Sequence, residues 1–446
     1  MRVNQISVTK LFGLFDHTIP LNHDERVTII YGPNGIGKTV LLRMLSNLFK
    51  SEYAELRSIP FEEFRVDFDN SCHLCVHKIT TSIDLEKNGG ENQAELKFNF
   101  SDNNGNIEEF SPKYPSPKND FSLSLLELEI SGLERIGVTT WSYAPTNEIL
   151  TFEDVLDRFG DDLPFIKSLK MRKNPEWFQQ LKRTTPIRFI ETQRLLKLSP
   201  VGKHYVETRQ PSKIEAVARY SNELARIIQQ KLAESAALSQ SLDRTFPGRV
   251  FKQADVSVIT NDALRNRLGE LEEKRSRLMT VGLLDREEEV FQVPQQIDES
   301  TKNVLSIYVE DVEQKLGVFD DIAAKIALFT KIINSRFEYK EMIVSKENGF
   351  TFTTPNHNML SPTDLSSGEQ HELVLFYELL FETPSDSLIL IDEPELSLHV
   401  AWQLQFLQDL QAITKLANFD VLLATHSPTI INNRWDLTVA LKGPVE

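Results

Sequence analysis

The segment Gly32-Pro33-Asn34-Gly35-Ile36-Gly37-Lys38-Thr39 constrains the fold of this chain more than any other stretch. An apolar run, Val27-Thr28-Ile29-Ile30-Tyr31, precedes it, and a helical pattern, Val40-Leu41-Leu42-Arg43-Met44-Leu45, follows. Strand, glycine loop and helix start is the context a phosphate-binding loop requires. Glycines there let successive backbone N–H groups turn inward around phosphate oxygens, and the helix N-terminus adds positive potential. In this reading Lys38 reaches the β and γ phosphates and the Thr39 hydroxyl ligates magnesium. A glycine-rich turn arising by chance would rarely carry both flanks.

A loop of this kind needs a sheet behind it, and 446 residues can bury one large core or several smaller ones. Hydrophobic content of 40% and charged content of 26% belong to an ordinary globular chain. No apolar run approaches the roughly 18 residues that cross a bilayer. The start, Met1-Arg2-Val3-Asn4-Gln5, has no apolar signal core, so no membrane association and a cytoplasmic location are expected. A net charge of −16 disfavours broad, nonspecific nucleic-acid binding and leaves room only for a local basic groove. The two cysteines lie in Cys72-His73-Leu74-Cys75-Val76-His77, briefly suggestive of a metal clip. Strand alternation separates Cys72 from His73, Cys75 and His77, and no second ligand pair completes a tetrahedral site. Reduced strand cysteines are the better reading.

Residues 3–31 alternate like strands, and Phe12 or Phe15 could stack on an adenine, although a core aromatic at a sheet edge is the plainer reading. From Phe64 to Phe110 the text predicts an antiparallel meander: Thr80–Leu85 and Glu95–Phe100 alternate, with Asn88-Gly89-Gly90 as a turn between them. Asp67-Phe68-Asp69 inside it is a carboxylate pair better read as solvated than as a metal site. Residues 111–120 read as a proline-rich loop. Ile187–Glu191 then reads as a buried strand leading to Gln193, a side chain able to reach magnesium or an attacking water.

Residues 213–345 are dominated by helical stripes, among them Val304, Val309, Val312, Leu316, Phe319, Ile322, Ile326, Phe329 and Ile333. Thr301 to Phe337 as a single helix would reach roughly 55 Å. Breaks expected at Pro247-Gly248 and Gly282 fold this region back into a short arm, a surface for helix or partner contacts and not for catalysis. A hairpin over Met342–Phe352 follows.

Leu388-Ile389-Leu390-Ile391 has the character of a buried parallel strand and ends in Asp392-Glu393-Pro394. That places two carboxylates at the carboxyl end of the sheet, where open α/β sheets bind ligands. Asp392 is the candidate for holding magnesium through water, and Glu393 for general base toward the attacking water, a role worth about a hundred- to ten-thousand-fold. A second such strand, Phe419–Thr425, ends in His426, which could sense the γ-phosphate or position the water. Upstream, Leu365-Ser366-Ser367-Gly368-Glu369-Gln370 opens a helical pattern and supplies another anion-binding helix start.

Together these segments resemble the ABC-type ATPases. Residues Gly32–Thr39 correspond to Walker A and Leu388–Glu393 to Walker B. Ser366, Ser367, Gly368 and Glu369 fall in the signature, with Ser367 and Glu369 standing where a glycine and a glutamine are usual. Glu395-Leu396-Ser397 matches the D-loop, His426 the switch histidine and Gln193 the Q-loop glutamine. The resemblance implies an α/β head (a mixed sheet flanked by helices, with an antiparallel β subdomain) carrying an inserted helical arm. It implies ATP and Mg2+ as ligands. It implies homo-oligomers as well, because the signature of one head faces the Walker A loop of another; Ser366 and Gly368 would act in trans on nucleotide held by Lys38 and Thr39.

The expected division is 1–200 for a first lobe, 201–340 for the arm and 341–446 for a second lobe. The long insertion is similar to the RecF/SMC/OLD side of the superfamily and unlike transporter ATPases. The chain stops twenty residues past His426, so no nuclease domain is expected after it. That pattern resembles stand-alone ATPase subunits of anti-phage systems, most of all that of PARIS, with the Septu ATPase as nearest rival. It implies head-to-head dimers, a ring (hexameric at its largest expectation), a separate TOPRIM nuclease or toxin effector, and a phage-encoded trigger protein. The alternative is a RecF/SMC-like repair ATPase that binds DNA directly, through a groove such as Lys167, Lys170, Arg172 and Lys173.

Overall fold

The run ahead of the glycine loop does form a strand, and its neighbours explain why it is apolar throughout. The computed structural model describes residues 1–80, 94–112, 123, 126–127, 129–145, 148–159, 174–191, 213–252, 260–285, 299–396 and 398–443. These divide into two compact units, Met1–Pro211 with Thr383–Glu446, and Ser212–Glu382.

The first unit opens with strands β1 (Val3–Leu11) and β2 (Phe15–Pro20), then β3 (Val27–Tyr31), helix α1 (Lys38–Lys50) and helix α2 (Tyr53–Ser58). The meander is β4 (Glu63–Phe68), β5 (His73–Thr80), β6 (Ala94–Ser101) and β7 (Ile107–Phe110). With β1 and β2 it makes a wholly antiparallel sheet of order β2-β1-β4-β5-β6-β7. Its alternation is real: Phe64, Val66 and Phe68 are buried while the residues between them are partly exposed. The predicted Asn88-Gly89-Gly90 turn and most of Thr80–Leu85 lie outside the described residues, as does most of the 111–120 loop. Asp67 accepts from Arg65 Nε at 2.8 Å and Asp69 from the Arg2 backbone N–H at 3.1 Å, so both carboxylates have structural partners. Cys72 and Cys75 are free and buried, and burial pushes the Cys75 thiol up to about 11. Among the described residues no cluster of three or more His, Cys, Asp or Glu side chains could hold a metal ion.

A small sheet, β8 (Leu133–Arg135), β9 (Thr140–Tyr143) and β10 (Glu148–Thr151), packs with α3 (Phe152–Phe159) around the fully buried Trp141. Helix α4 (Glu176–Thr184) and strand β11 (Ile187–Glu191) complete this part.

In the second unit, α5 (Lys213–Lys252), α6 (Asn261–Thr280) and α7 (Glu299–Gly317) form the arm. Bidentate pairs tie it together: Arg249 with Asp311 (2.5 and 2.7 Å) and Arg267 with Glu313 (2.8 and 2.6 Å). The break expected at Pro247 is absent, and α5 runs through it for 40 residues. Proline withdraws one N–H and crowds the carbonyl four residues back. Here Thr245 Oγ1 donates to the Ser241 and Leu242 carbonyls and the Arg249 guanidinium to Leu242 O, while the Arg249–Asp311 pair fixes the helix to α7 just past Pro247. The Gly282 break is present: at φ 80° a Cβ there would lie 1.9 Å from the Val344 carbonyl oxygen, so no side chain fits.

The stripe from Thr301 to Phe337 is two helices, because Gly317 ends α7 and the buried Phe319 starts α8 (Asp320–Asn334). The hairpin β12 (Glu341–Ser345) and β13 (Gly349–Thr353), with β14 (Met359–Leu360), leads to α9 (Ser367–Tyr377), which continues as a π-helical turn over Glu378–Glu382. Arg336 and Glu372 form an ion pair with both side chains wholly buried, and the Arg336 guanidinium stands 4.6 Å from the Phe376 ring centroid.

The chain re-enters the first unit with β15 (Leu388–Asp392), α10 (Val400–Ala417), β16 (Asp420–Ala424), α11 (Pro428–Ile431) and β17 (Thr438–Ala440). The five-stranded sheet β11-β15-β16-β3-β17 is entirely parallel. The expected mixed sheet is therefore realised as separate sheets in one α/β unit: this parallel one, the six-stranded antiparallel one and the small β8–β10 sheet. Strands buried on both faces must be apolar throughout, as Leu388–Ile391 and Val421–Ala424 are. Helix α1 lays Leu41, Leu42, Met44, Leu45, Leu48 and Phe49 into the same core.

Candidate functional site

Register brings the chemistry together. Asp392 stands opposite Ala424 on β16, and Ala424 opposite Ile30 on β3. The residues one or two steps further along each strand, Glu393, Thr425-His426 and the start of the glycine loop, therefore leave the sheet at one edge, the carboxyl edge. Glu191 on β11 is level with Asp392, while Gln193, two residues on, lies outside the described residues. Lys167, Lys170, Arg172 and Lys173 also lie outside them.

The loop Gly32–Gly37 feeds α1, whose cap residue Gly37 supplies no side chain to the first-turn N–H groups. Those donors are left for an anion. Gly37 has φ 100°, and a Cβ there would meet Leu11 Cδ2 at 2.5 Å, so only glycine fits. His17, not anticipated from the sequence, lies buried below the loop with Nε2 2.9 Å from Ile36 O. Pro33, Asn34 and Gly35 are exposed around the rim, and Ile36 is buried under it. Phe12, 39% exposed, comes within 3.6 Å of the position a Gly37 Cβ would take, whereas Phe15 stacks on His17.

Lys38 is buried, and its ammonium donates to Gly32 O (2.8 Å) and Pro33 O (3.0 Å) and lies 3.3 Å from His426 Nδ1. Burial lowers its pKa from the ordinary lysine value, with Glu393, Asp392 and Glu395 pulling the other way. The Thr39 hydroxyl donates to Asp392 Oδ1 at 3.1 Å. Burial pushes the Asp392 carboxyl up to about 6, against the Thr39 hydrogen bond.

Glu393 holds φ 45°, a left-handed conformation that costs a non-glycine residue of order 1 kcal/mol and persists where surroundings impose it. Its N–H donates to Ala424 O at 2.8 Å, tying the turn to β16, and its Oε1 lies 3.7 Å from His426 Nε2. Glu395 then fixes the histidine's backbone. Its Oε1 accepts from Thr425 Oγ1 (2.7 Å), His426 N–H (2.8 Å) and Ser427 N–H (3.1 Å). The resemblance gave Glu395 only as part of the D-loop; period and motif carry no signal for this triple acceptance.

The signature segment belongs to the second unit. Ser366 caps α9: it accepts from the Glu369 N–H, and the Glu369 carboxylate accepts from the Ser366 N–H at 2.8 Å. Ser367 and Gly368 occupy the first turn, and the Gln370 side chain donates to Thr363 O and Leu365 O to fix the approach.

The donor set fits magnesium. A hydroxyl and a half-buried carboxylate in contact, in no cluster of three or more His, Cys, Asp or Glu ligands among the described residues, leave the further positions to phosphate and water, as this cation prefers. Thr39 and Asp392 would hold it, and bound there it would neutralise charge on the phosphates. The chain's own groups do the rest. Loop N–H groups and Lys38 would bind and orient the phosphates, Glu393 would take a proton from an attacking water, and His426 stands against both Lys38 and Glu393.

One family of known proteins matches residues 27–432, described as "AAA domain, putative AbiEii toxin, Type IV TA system". The chain belongs to this family. The match spans both units, so this AAA-family protein carries its helical arm within the family's own extent. No curated relative matches it in sequence. Its fold is similar to the Smc head domain with an extended coiled coil from Pyrococcus furiosus, a structure bound to the C-terminal domain of ScpA (12% identity, TM-score 0.34, 100% of this chain and 94% of that one). It is likewise similar to the SMC head domain from Thermotoga maritima (12% identity, TM-score 0.32, 100% of both chains). No helix among the described residues is long and apolar enough to cross a membrane.

Proposed function

We propose that this AAA-family protein binds and hydrolyses Mg-ATP in the manner of an ABC-type head, as a head-to-head dimer. In that dimer Ser366 and Gly368 of one copy close over nucleotide held by Lys38 and Thr39 of the other. The observation that carries the reading is the meeting of Lys38, Thr39, Asp392, Glu393 and His426 at one sheet edge, drawn from segments at opposite ends of the chain. Each chain has one copy of each motif, which supports a dimer as the smallest complete unit. ATP turnover that needs magnesium and is lost in both Lys38→Ala and Glu393→Gln tests it; magnesium-independent turnover would contradict it.

In the cell the chain is a sensor and scaffold subunit of a bacterial anti-phage system of the PARIS type. Its oligomer, up to a ring, holds a separate nuclease or toxin effector of TOPRIM type until a phage-encoded protein triggers release. A toxin–antitoxin system in the family's description and the arm built into the head support this reading. Co-purification under ATP with the product of the adjacent gene tests it. A TOPRIM partner is expected, and hydrolysis stimulated by duplex DNA with no effector bound would favour the repair ATPase instead.

A further inference from the structure

Glu369 stands where the signature resemblance expects a neutral glutamine, three residues after the serine assigned to a partner's phosphate. An uncompensated carboxylate there would repel a triphosphate, several times more strongly in a partly buried site than in water. The structure supplies the compensation. Lys340 Nζ lies 2.8 and 2.7 Å from the two Glu369 carboxylate oxygens, and Oε2 of the same carboxylate accepts from the Ser366 hydroxyl and N–H, both at 2.8 Å.

The Lys340 and Glu369 side chains are only 23% and 12% exposed, unlike a solvent-screened surface pair. Burial alone would raise the Glu369 carboxyl, but the hydrogen bonds from Lys340 and Ser366 outweigh it and leave it below the usual glutamate range. Lys340 sits between α8 and β12, on the segment by which the chain leaves its helices.

We propose that Lys340 is a positioning residue of the signature: it neutralises Glu369 and holds it as the acceptor that orients Ser366, so that a second copy's nucleotide phosphate meets donors instead of a free carboxylate. This deepens the proposed function and rests on its reading of Ser366. The pair explains how a signature with glutamate in place of glutamine keeps an anion-binding face, and it ties that face to the segment between α8 and β12.

The test uses the full chain and reads two quantities: dimer formation with Mg2+ and a non-hydrolysable ATP analogue by sedimentation velocity, and kcat and KM for ATP. Lys340→Met is expected to weaken the dimer about tenfold or more and to lower kcat, with KM, set by Lys38 of the same copy, nearly unchanged; Lys340→Arg keeps the cation and stays within about threefold of wild type. Once Glu369 is neutral the lysine is no longer needed, so Lys340→Met with Glu369→Gln recovers to within about threefold of Glu369→Gln alone. A double variant as weak as Lys340→Met, or a Lys340→Met protein equal to wild type, overturns the proposal. Failure of the wild-type chain to dimerise or to turn ATP over, although it binds ATP, removes the proposed function itself and this inference with it.

Discussion

Thr39 Oγ1 donates to Asp392 Oδ1 across 3.1 Å, although 353 residues separate the two in sequence. Strand order explains the meeting: β3 and β15 flank β16 in one parallel sheet, so the turns that follow them open side by side. The contact ends in a carboxyl that burial pushes up to about 6, well above its ordinary 3.8. A raised acid favours its protonated form in the folded state. The stability it contributes is full below the ordinary value and is lost as pH rises through about 6.

A divalent cation reverses that preference, because it needs the carboxylate ionised. Affinity for magnesium–nucleotide should therefore fall about tenfold between pH 7 and pH 5, following Asp392. Calorimetric titration across that range checks this, and Asp392→Asn should bind weakly with a flat profile. A flat profile in the wild type would remove Asp392 from the metal site.

The Lys38 ammonium donates to the loop's own carbonyls, Gly32 O and Pro33 O, and lies beside His426. Lys38→Ala should accordingly leave the fold intact while weakening ATP binding about a hundredfold, the loss of two charge-assisted phosphate contacts. Fluorescent-nucleotide titration beside a thermal melt separates the two effects.

Glu393→Gln keeps the shape of the strained turn and removes the proton acceptor. Turnover should drop by about a hundred- to ten-thousand-fold while nucleotide affinity holds. Equal steady-state hydrolysis by the variant and wild type would take Glu393 out of its role.

Much of this was legible in the sequence because parallel strands announce themselves. Leu388–Ile391 and Val421–Ala424 are apolar throughout for the same reason that they are central, and the chemistry sits where each stops. Pro247 misleads because local propensity cannot register Thr245 and Arg249, side chains that serve the carbonyls before the proline. The gap at Gly317 hides for the opposite reason: the apolar spacing continues across it, since Phe319 is buried as a helix residue would be. His17 and the triple acceptance of Glu395 escape any pattern, since each depends on a neighbour brought in by tertiary structure.

The wholly buried pair Arg336–Glu372 ties the end of α8 to the signature helix α9 within the second unit. Removing one partner strands a charge, so Glu372→Ala should cost about 3–5 kcal/mol in chemical denaturation. Replacing both by apolar residues of similar size should cost much less; equal losses in the single and double variants would show that packing, not charge, sets the value.

The central claim is that one polypeptide supplies half of each nucleotide clamp. Sedimentation of the Glu393→Gln chain at micromolar concentration, with and without saturating Mg-ATP, tests it most directly. The account predicts a monomer that doubles in mass, or assembles further, when nucleotide is added. A chain that stays monomeric under those conditions, while the wild type, monomeric as well, hydrolyses ATP at full speed, would contradict it.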